Sequence, residues 1–456
     1  MPSSGGILQI SARGVQDQLI SGSPTSTMWA SRWSRFAPFA VDDEVLELSA
    51  AGWSTTSSVT LARYGDLIHR LTLELTLPPL KVPDTLTGTD MDGAVSTICY
   101  YSNAIGFAAI ESCEFEVGGH SIEQLYSEYC FMLESLAGQP GNRLGVAIGK
   151  VNFSSTVDED LAELASSEQK LFVPLPFFFS KYAPQTYGLA IPLVAMTHHE
   201  VRLKLKTRAS ADVTCCAYKT LGTEDEWSLS SVAPYNATTN AAMSVTDLKI
   251  RVIVSFVYLG DAERSAAANS SHTLLINTAQ RQTFPLAANT STLTEFRLTF
   301  NHPSNALIWA LRPLDFNTQD GRRRFSCGFK DFFDFTHKVD DANYNYGNVV
   351  NPCKIANLKL NSSYRYPESC PIEYFRHHVP YTSWRTTPDT DINSMVFSLQ
   401  GFEWQPTSTL NYSRLDNAHL TVMPQADVKQ SEIILFCTAY NAFVVQDGLG
   451  GTKWAN

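Results

Sequence analysis

The sequence predicts an all-β protein built from two consecutive halves. Its 456 residues exceed what one hydrophobic core usually supports. Many of its apolar segments follow the two-residue period of strands that bury one face. Both halves contain several such segments, and each half ends in a long apolar strand, over residues 248–259 and 432–445. The halves share no residue-level repeat, so duplication is expected in the architecture alone.

The clearest strand lies in residues 63–78. Between Leu71 and Leu77 every odd position is leucine, while the even positions are Thr72, Glu74 and Thr76. A period of two places the leucines on one face of a strand and the polar residues on the other. We therefore expect the leucines to fill a core. Whether the polar face meets water or the other half of the chain is left open by the pattern.

Residues 1–40 precede the first strand pattern and are predicted to form an arm, because they are rich in Ser, Gly and Thr with scattered apolar residues. A helix is predicted further along, within residues 115–138. There Gly118 and Gly119 end a strand, and Ser121 and Gln124 match a capping box. Apolar residues at helical spacing then continue to Gly138, a suitable C-terminal stop.

The rest of the chain is predicted as strands and loops. Residues 172–208 contain four prolines that cut them into short extended pieces, and residues 201–206 alternate as a strand. Residues 209–245 are predicted as a polar loop. The predicted organisation is thus an arm (1–40), a first domain (41–260), a polar linker (261–280) and a second domain (281–456). The second domain has strand patterns at 294–301, 307–311, 355–360, 394–402, 418–422 and 432–445.

The charge distribution argues against direct binding of nucleic acid. The net charge is -11, whereas binding to phosphates relies on an excess of Lys and Arg. The first 36 residues differ, since three arginines and one aspartate give 3 - 1 = +2. We expect the arm to contact a different partner from the rest. No signal peptide is apparent at the N-terminus, and no segment is apolar and long enough to span a bilayer.

The cysteines and histidines do not predict a metal site or a cofactor site. Nine cysteines are scattered without a C-x-x-C pair, which predicts reduced thiols in a cytosolic setting. The pairs His198–His199 and His377–His378 are adjacent residues, and on a strand adjacent side chains point to opposite faces. Neither pair can jointly bind a metal in that geometry.

Catalytic motifs are also missing from the sequence. Residues 145–150 and 448–453 miss the P-loop spacing, no G-x-S-x-G motif occurs, and the carboxylates show no pairing. The run Arg322–Arg324 is interpreted as a solvated face. We therefore expect a structural or binding protein with no catalytic residues and no cofactor. The alternative is a carbohydrate-binding or hydrolytic β-sandwich protein, although a glycoside hydrolase would need two paired carboxylates.

Eight segments, taken together and in order, closely resemble the major capsid proteins of nucleocytoplasmic large DNA viruses. They are residues 5–24, 63–78, 117–129, 172–203, 257–264, 298–312, 398–420 and 440–451. The resemblance covers nearly the whole chain. Two details depart from the family pattern: Thr407, Ser408 and Tyr412 alter a turn, and residues 257–268 lack the run of arginines that often follows the acidic residues there.

This resemblance implies a double jelly roll, which consists of two consecutive eight-stranded antiparallel jelly rolls with a few short helices. Three copies would form a pseudo-hexagonal capsomer that tiles an icosahedral shell. The implied partners are neighbouring capsomers, minor capsid proteins and a penton protein, without direct contact to nucleic acid. An internal membrane would lie beneath the shell without being entered by the chain. The implied location is the virion, after assembly in the host cytoplasm.

The resemblance also suggests six assembly residues. Leu8, Gln16 and Asp17 belong to the arm, which would face the capsid interior and touch minor capsid proteins or neighbouring capsomers. Arg414, Asp416 and Asn417 belong to the segment SRLDN. Arg414 and Asp416 would either form charge-assisted bonds at a subunit or inter-domain contact, or tie down their own turn.

Overall fold

The computed structural model describes residues 5–18, 22–30, 33, 35–83, 94–138, 144–152, 156–181, 189–220, 227–314, 328–336, 351–368, 370–426 and 428–454. Residues 1–39 form one compact unit and residues 40–456 form another. The first unit contains a helix, Gly5–Ser11, and a 3-10 turn, Val15–Asp17, and neither buries a side chain. We expect such an arm to become ordered against a partner, since its own residues supply no core.

Eight strands of the first half make up the main paths of two sheets. They are β1 (Phe39–Glu47), β2 (Thr56–Thr60), β3 (Leu67–Leu77), β4 (Ile110–Val117), β5 (His120–Tyr126), β6 (Gln169–Pro174), β7 (Val201–Thr207) and β8 (Lys249–Leu259). The order in one sheet is β1-β8-β3-β6, and in the other it is β2-β7-β4-β5. This order is the strand arrangement of an antiparallel jelly roll.

The second half repeats this arrangement. Its strands are β9 (His272–Leu286), β10 (Thr294–Arg297), β11 (Pro303–Pro313), β12 (Cys353–Leu360), β13 (Ser363–Tyr364), β14 (Asn393–Val396), β15 (Ala418–Pro424) and β16 (Ser431–Gln446). The sheets have the orders β9-β16-β11-β14 and β10-β15-β12-β13, so each strand corresponds to the one eight places earlier. The predicted fold class, two consecutive eight-stranded jelly rolls, is confirmed.

Short elements connect these strands. Further strands are Leu80–Lys81, Ala94–Tyr101, Ile191–Pro192, Thr214–Thr220, Ser228–Leu229, Tyr235–Asn236, Ala241–Ala242, Leu410–Asn411 and Leu449–Thr452. The α-helices after the arm are Ile105–Ala108, Ser127–Ala137, Leu144–Ala147, Val157–Ala165, Ser210–Val213, Asp261–Asn269 and Val379–Ser383, with a π-helical turn at Tyr374–His378. Further 3-10 turns lie at Leu193–Ala195, Val245–Asp247 and Tyr412–Arg414. Residues 261–280, expected as a linker, form the Asp261–Asn269 helix and the start of β9.

The leucine face of β3 is buried as its alternation predicts. Leu71, Leu73, Leu75 and Leu77 are each at most 1% exposed. On the opposite face the Glu74 carboxylate accepts a hydrogen bond of 2.5 Å from the guanidinium of Arg251 on β8. This face therefore carries a cross-strand ion pair, which joins two central strands of the sheet.

The predicted start of the helix after Gly119 is wrong. Residues 120–126 form β5, which pairs with β4, and the helix begins only at Ser127. Gly118 and Gly119 have φ values of 59° and 82°, as in the two-residue hairpin turns that link antiparallel strands. The expected capping box does not form, because Ser121 lies opposite Glu116 in the strand pair. Sheet hydrogen bonding thus overrides the helical spacing of the apolar residues.

Substitutions at the two glycines of this hairpin should differ in effect. A Cβ at Gly118 would lie 2.7 Å from the ring of His199, whereas a Cβ at Gly119 would meet nothing within 4 Å. Both substitutions carry the cost of a positive φ, about 1 kcal/mol. We expect Gly118→Ala to lower the free energy of unfolding by about 2 to 3 kcal/mol and Gly119→Ala by about 1 kcal/mol. Chemical denaturation of both variants measures the difference, and equal losses would contradict a role for the His199 contact.

The expectation of reduced thiols is wrong for one pair of cysteines. Cys99 and Cys216 form a disulfide across the paired strands Ala94–Tyr101 and Thr214–Thr220, where they lie directly opposite each other. The pair is separated by 117 residues, and the second strand falls in a region predicted as a loop. Pattern alone could not have paired them. The free cysteines within the described ranges are all buried: 113, 130, 215, 353, 370 and 437.

Candidate functional site

No metal site is evident in the described part of the chain. No group of three or more His, Cys, Asp or Glu side chains there is placed to hold a metal ion. In the same residues, no helix is long and apolar enough to cross a membrane. The run Arg322–Arg324 lies outside the described residues. The candidate functional features are therefore the contacts between the two jelly rolls and the exposed surfaces.

The histidine pairs that were considered as metal ligands have other contacts. The backbone amide of His198 donates to the carbonyl of Gly448 at 3.0 Å. The Nδ1 atom of His199 lies 3.1 Å from the amide nitrogen of Gly450. This pair therefore fixes the C-terminal hairpin of the second jelly roll to the first. His378 instead stacks on Tyr374, with 5.0 Å between the ring centroids.

The Ser127–Ala137 helix lies at the junction between the two jelly rolls. The last carbonyls of a helix lack donors within the helix and need other partners. Here the Leu136 carbonyl accepts from the backbone amides of Arg385 and Thr386, at 3.2 and 3.1 Å. The Thr386 hydroxyl donates to the Ser135 carbonyl at 2.6 Å. Residues of the second jelly roll thus cap a helix of the first.

A buried ionic cluster also crosses this junction. The Glu128 carboxylate lies 3.1 Å from the guanidinium of Arg208 in the first jelly roll and 2.8 Å from that of Arg312 in the second. Arg312 also binds Glu432. Burial alone would raise the pKa of Glu128, but the charges of Arg208 and Arg312 hold it below its ordinary value. The carboxylates of Glu128 and Glu432 therefore balance the charges of two guanidinium groups in a poorly solvated site.

A second buried contact involves Glu123 and Lys181. The Glu123 carboxylate accepts a hydrogen bond of 2.7 Å from the backbone amide of Phe178, and the Lys181 amine donates to the carbonyl of Asn277 on β9. Burial raises the pKa of Glu123 and lowers that of Lys181, while the attraction between them partly offsets both shifts. The contact adds a polar link from the first jelly roll to strand β9 of the second.

A segment of the second jelly roll inserts into the first. Residues 328–336, which we call the clasp, lie in sequence between β11 and β12. The backbone amide of Phe329 donates to the Tyr100 hydroxyl at 3.0 Å, and that hydroxyl donates to Asp158 at 2.6 Å. The Ser102 hydroxyl donates to the clasp carbonyl of Lys330 at 2.8 Å. Polar groups of the first jelly roll therefore hold the clasp backbone.

Aromatic packing completes the clasp contact. Phe333 is 2% exposed and stacks on Phe131 of the Ser127–Ala137 helix, with 4.3 Å between ring centroids and an interplanar angle of 6°. Phe332 lies beneath the guanidinium of Arg208 at 4.5 Å. The clasp thus adds apolar contacts to the helix that the ionic cluster also anchors. The clasp was not predictable from the sequence, because its phenylalanines follow no regular period.

Two segments that carried the family resemblance contact each other. Asp66, in the turn before β3, accepts two hydrogen bonds from Arg264 of the Asp261–Asn269 helix, at 2.9 and 3.1 Å. Its carboxylate also accepts from the backbone amide of Leu259 at 2.8 Å. Gly65 is required beside it, because a Cβ there would lie 2.6 Å from Phe256. These residues position the helix that follows the first jelly roll.

Of the predicted assembly residues of the arm, Leu8 and Gln16 are exposed and Asp17 is half-buried. Leu8 is 62% exposed on the Gly5–Ser11 helix. Gln16 and Asp17 lie in the Val15–Asp17 turn, and the Asp17 carboxylate accepts from the backbone amide of Gly14 at 2.6 Å. Other large side chains of the arm are also highly exposed: Ile7, Ile10, Val15, Met28, Trp29, Trp33 and Phe36. Exposed apolar groups at this density are typical of a segment that binds a partner.

The predicted assembly residues of the second jelly roll lie at a turn before β15. Arg414 and Asp416 are exposed. The ion pairs in the described part of the chain do not include either of them, so they do not tie down their own turn through a mutual salt bridge. Asn417 does stabilise the turn. Its backbone amide donates to the side-chain oxygen of Asn361 at 3.0 Å, and its backbone carbonyl accepts from the backbone amide of Asn361 at 2.9 Å.

Two family models together match most of the chain. The model described as "Major capsid protein N-terminus" matches residues 27–260. The model described as "Large eukaryotic DNA virus major capsid protein" matches residues 263–451. The first match ends and the second begins next to the Asp261–Asn269 helix, which follows the last strand of the first jelly roll.

Several similar proteins and structures align with this chain over nearly its full length. The major capsid protein of Pyramimonas orientalis virus is 28% identical over 478 aligned residues, which cover 99% of this chain and 100% of that protein. That of Paramecium bursaria Chlorella virus 1 is 25% identical over 484 residues, with the same coverage. The PBCV-1 virus capsid structure has a TM-score of 0.67 and 22% identity, and covers 94% of this chain and 100% of its own. The Faustovirus major capsid protein has a TM-score of 0.68 and 12% identity, with 97% and 96% covered.

Proposed function

The chain belongs to the major capsid proteins of large eukaryotic DNA viruses, and from that premise we propose that three copies associate into a pseudo-hexagonal capsomer that tiles an icosahedral shell. The observation that carries this proposal is the repeated strand order of two complete jelly rolls in one chain. Three copies contribute six such units, which gives a capsomer of nearly sixfold outline. The role is structural, without catalysis.

The contacts between the two jelly rolls support this role. A capsomer built from two-part subunits needs a fixed angle between the parts, because any hinge would spoil the outline that neighbouring capsomers match. The clasp, the capped helix and the buried ionic cluster each join the parts by groups with little exposure. They restrain hinge motion in the isolated subunit, before any contact with a second copy.

The purified full-length chain is expected to be a trimer. Interfaces of obligate oligomers bury roughly 2,000 to 5,000 Å², enough to keep the copies together at micromolar concentration. Light scattering coupled to size-exclusion chromatography should therefore give about three times the 50.5 kDa chain mass. A mass of one chain across the micromolar range would contradict the proposal. A measured glycan affinity or glycoside turnover would instead favour a carbohydrate-binding or hydrolytic sandwich.

We propose that the arm acts between capsomers or toward minor capsid proteins, at the inner side of the shell. Its exposed apolar residues, including Leu8, and its slight positive charge support this assignment. Gln16 and Asp17 would take part in the same contact. A penton protein, an underlying membrane that the chain does not enter, and assembly in the host cytoplasm complete the proposed setting, with no direct binding of nucleic acid.

Removal of residues 1–24 should separate trimer formation from the assembly of shells. The arm buries no side chain within its helix or its 3-10 turn, so we expect the truncated chain to fold and to keep the trimer mass. When the truncated chain is co-expressed with the other capsid components, it should no longer assemble into shells. Electron microscopy provides the measurement. Unfolding of the truncated chain, or intact shells without the arm, would each refute the assignment.

We further propose that Arg414 and Asp416 form charge-assisted bonds with another subunit, since both are exposed and lie beside a turn that Asn417 already holds. The proposed domain division places the arm before β1 and the two jelly rolls on either side of the Asp261–Asn269 helix, because β9 already begins at His272. The Asp261–Asn269 helix would then act as the connection, held to the first jelly roll by Asp66.

A further inference from the structure

A cleft of about 330 Å³ lies beside the junction between the two jelly rolls. The first jelly roll contributes β3, the Ser127–Ala137 helix and residues 174–181 to its walls, and the second contributes Arg385 and Phe402. Its volume falls within the range of small-molecule sites and is too small for a helix or a folded peptide. All of its lining residues belong to one copy of the chain.

The floor of the cleft is apolar. Phe107, Leu133 and Leu175 line it and are each at most 5% exposed in the folded chain. Phe402 from the second jelly roll adds a half-buried aromatic wall. Leu144, Pro174 and Pro176 are also half-buried at its walls. Together with Phe402 they offer apolar surface to a hydrocarbon group, because contact with them removes apolar area from water on both sides.

The cleft also carries positive charge. Arg70 is exposed, and Arg385 lies half-buried with its guanidinium 4.8 Å from the ring centre of Phe402. Neither forms an ion pair with any described residue. An arginine without a carboxylate partner, held over an aromatic ring, is suited to bind an anion through paired N–H donors.

The remaining charged groups of the cleft do not cancel these two arginines. Burial raises the pKa of Glu134 to about 7, against the opposing charge of Lys150, so a large part of this carboxyl group is uncharged near neutral pH. Lys181 also lines the cleft, and its charge is compensated by the buried carboxylate of Glu123. The cleft as a whole therefore favours an anion.

We propose that this cleft binds a small amphipathic anion, a carboxylate with a medium-length hydrocarbon tail. The tail lies above the floor, against the half-buried side chains of Leu144, Pro174, Pro176 and Phe402, and the carboxylate meets the guanidinium groups of Arg70 and Arg385. The arm of another copy does not fit the cleft, because it carries a net positive charge and no glutamate. A bound tail contacts residues from both jelly rolls and strengthens their association.

Titration of the full-length protein with decanoate tests the proposal by isothermal calorimetry, below the concentration at which decanoate forms micelles. Decanol and acetate serve as matched probes, since the first lacks the charge and the second lacks the tail. We expect saturable binding of decanoate at about one molecule per chain, with at least tenfold weaker binding of both controls. Absence of decanoate binding, or equal binding of decanol, overturns the proposal.

Substitutions inside and outside the cleft test where decanoate binds. Arg70→Gln combined with Arg385→Gln should weaken decanoate binding at least tenfold, while Arg297→Gln, at an exposed arginine outside the cleft, should leave it unchanged. Thr72→Trp, which places a bulky ring in the cleft from β3, should abolish binding while both guanidinium groups are still present. Thermal unfolding of each variant verifies folding. If decanoate binds the double arginine variant or the tryptophan variant as tightly as the parent chain, the site is elsewhere and the assignment is overturned.

Discussion

Replacement of Glu128 by glutamine should destabilise the protein by about 3 to 5 kcal/mol, one of the largest single effects in the chain. The change preserves the size of the side chain but leaves Arg208 and Arg312, which are 11% and 12% exposed, without their shared carboxylate. Removal of one partner from a buried ionic group leaves uncompensated charge in a poorly solvated site. Denaturant unfolding, or the thermal midpoint at a fixed scan rate where unfolding is irreversible, measures the loss.

A matched control comes from the surface ion pair of Glu200 and Arg202. These side chains are 2.8 Å apart and 65% and 51% exposed, so the same substitution, Glu200→Gln, should cost less than about 1 kcal/mol. If the two glutamine variants lose similar stability, the cluster at Glu128 does not stabilise the junction between the jelly rolls.

The pH dependence of stability provides a second test of the cluster. The pKa of Glu128 is lower in the folded chain than its ordinary value of 4.5. A carboxylate with a lowered pKa contributes stability that is present above about pH 4.5 and is lost as pH falls through its folded pKa. The difference in stability between the parent chain and Glu128→Gln should therefore be constant near neutral pH and shrink below about pH 4.5. A difference that grew with acid would contradict this assignment.

Truncation of Phe333 should have a comparable effect on stability. It should also loosen the neighbouring helix of the first jelly roll, across the junction. Phe333 is 2% exposed and stacks on Phe131, so Phe333→Ala leaves a cavity between the clasp and the Ser127–Ala137 helix. Truncation of buried phenylalanine typically costs about 3 to 5 kcal/mol. Hydrogen exchange read by mass spectrometry should show faster exchange in residues 127–137 of the first jelly roll, although the substitution lies in the second.

Phe172→Ala supplies the control for this truncation. Phe172 lies on β6 and is 45% exposed, so its loss should cost about 1 kcal/mol. Its effect on exchange should also stay within its own sheet. An exchange change confined to the second jelly roll in Phe333→Ala would show that the clasp does not couple the two halves.

Features with a local period were predictable from sequence. The alternation from Leu71 to Leu77 predicted both the strand β3 and its buried face, because the period of a strand is set by its own backbone. Residues 201–206 behaved likewise, and β7 buries alternate residues. The start of the helix near Gly119 was misplaced, because the apolar residues at 122, 125 and 126 follow helical spacing although this segment forms a strand. The choice between helix and strand depends on pairing with β4.

Features made by distant residues were not predictable in this way. Glu128 lies 80 residues from Arg208 and 184 residues from Arg312, and no local pattern marks the three as partners. The disulfide of Cys99 and Cys216 depends on strand pairing that only the fold creates. The cleft likewise joins Arg70 to Arg385, which lie in different jelly rolls. Such sites follow from the packing of the two jelly rolls, and the order of segments along the chain was the only sequence feature that pointed to that packing.

Electron microscopy of the purified full-length chain tests the proposed capsomer most directly. Class averages of single particles should show a threefold particle with a nearly hexagonal outline, in which each copy contributes two adjacent densities of similar size. Particles that contain one copy only, or oligomers without threefold symmetry, would contradict the assignment of this chain as the building block of a pseudo-hexagonal capsid lattice.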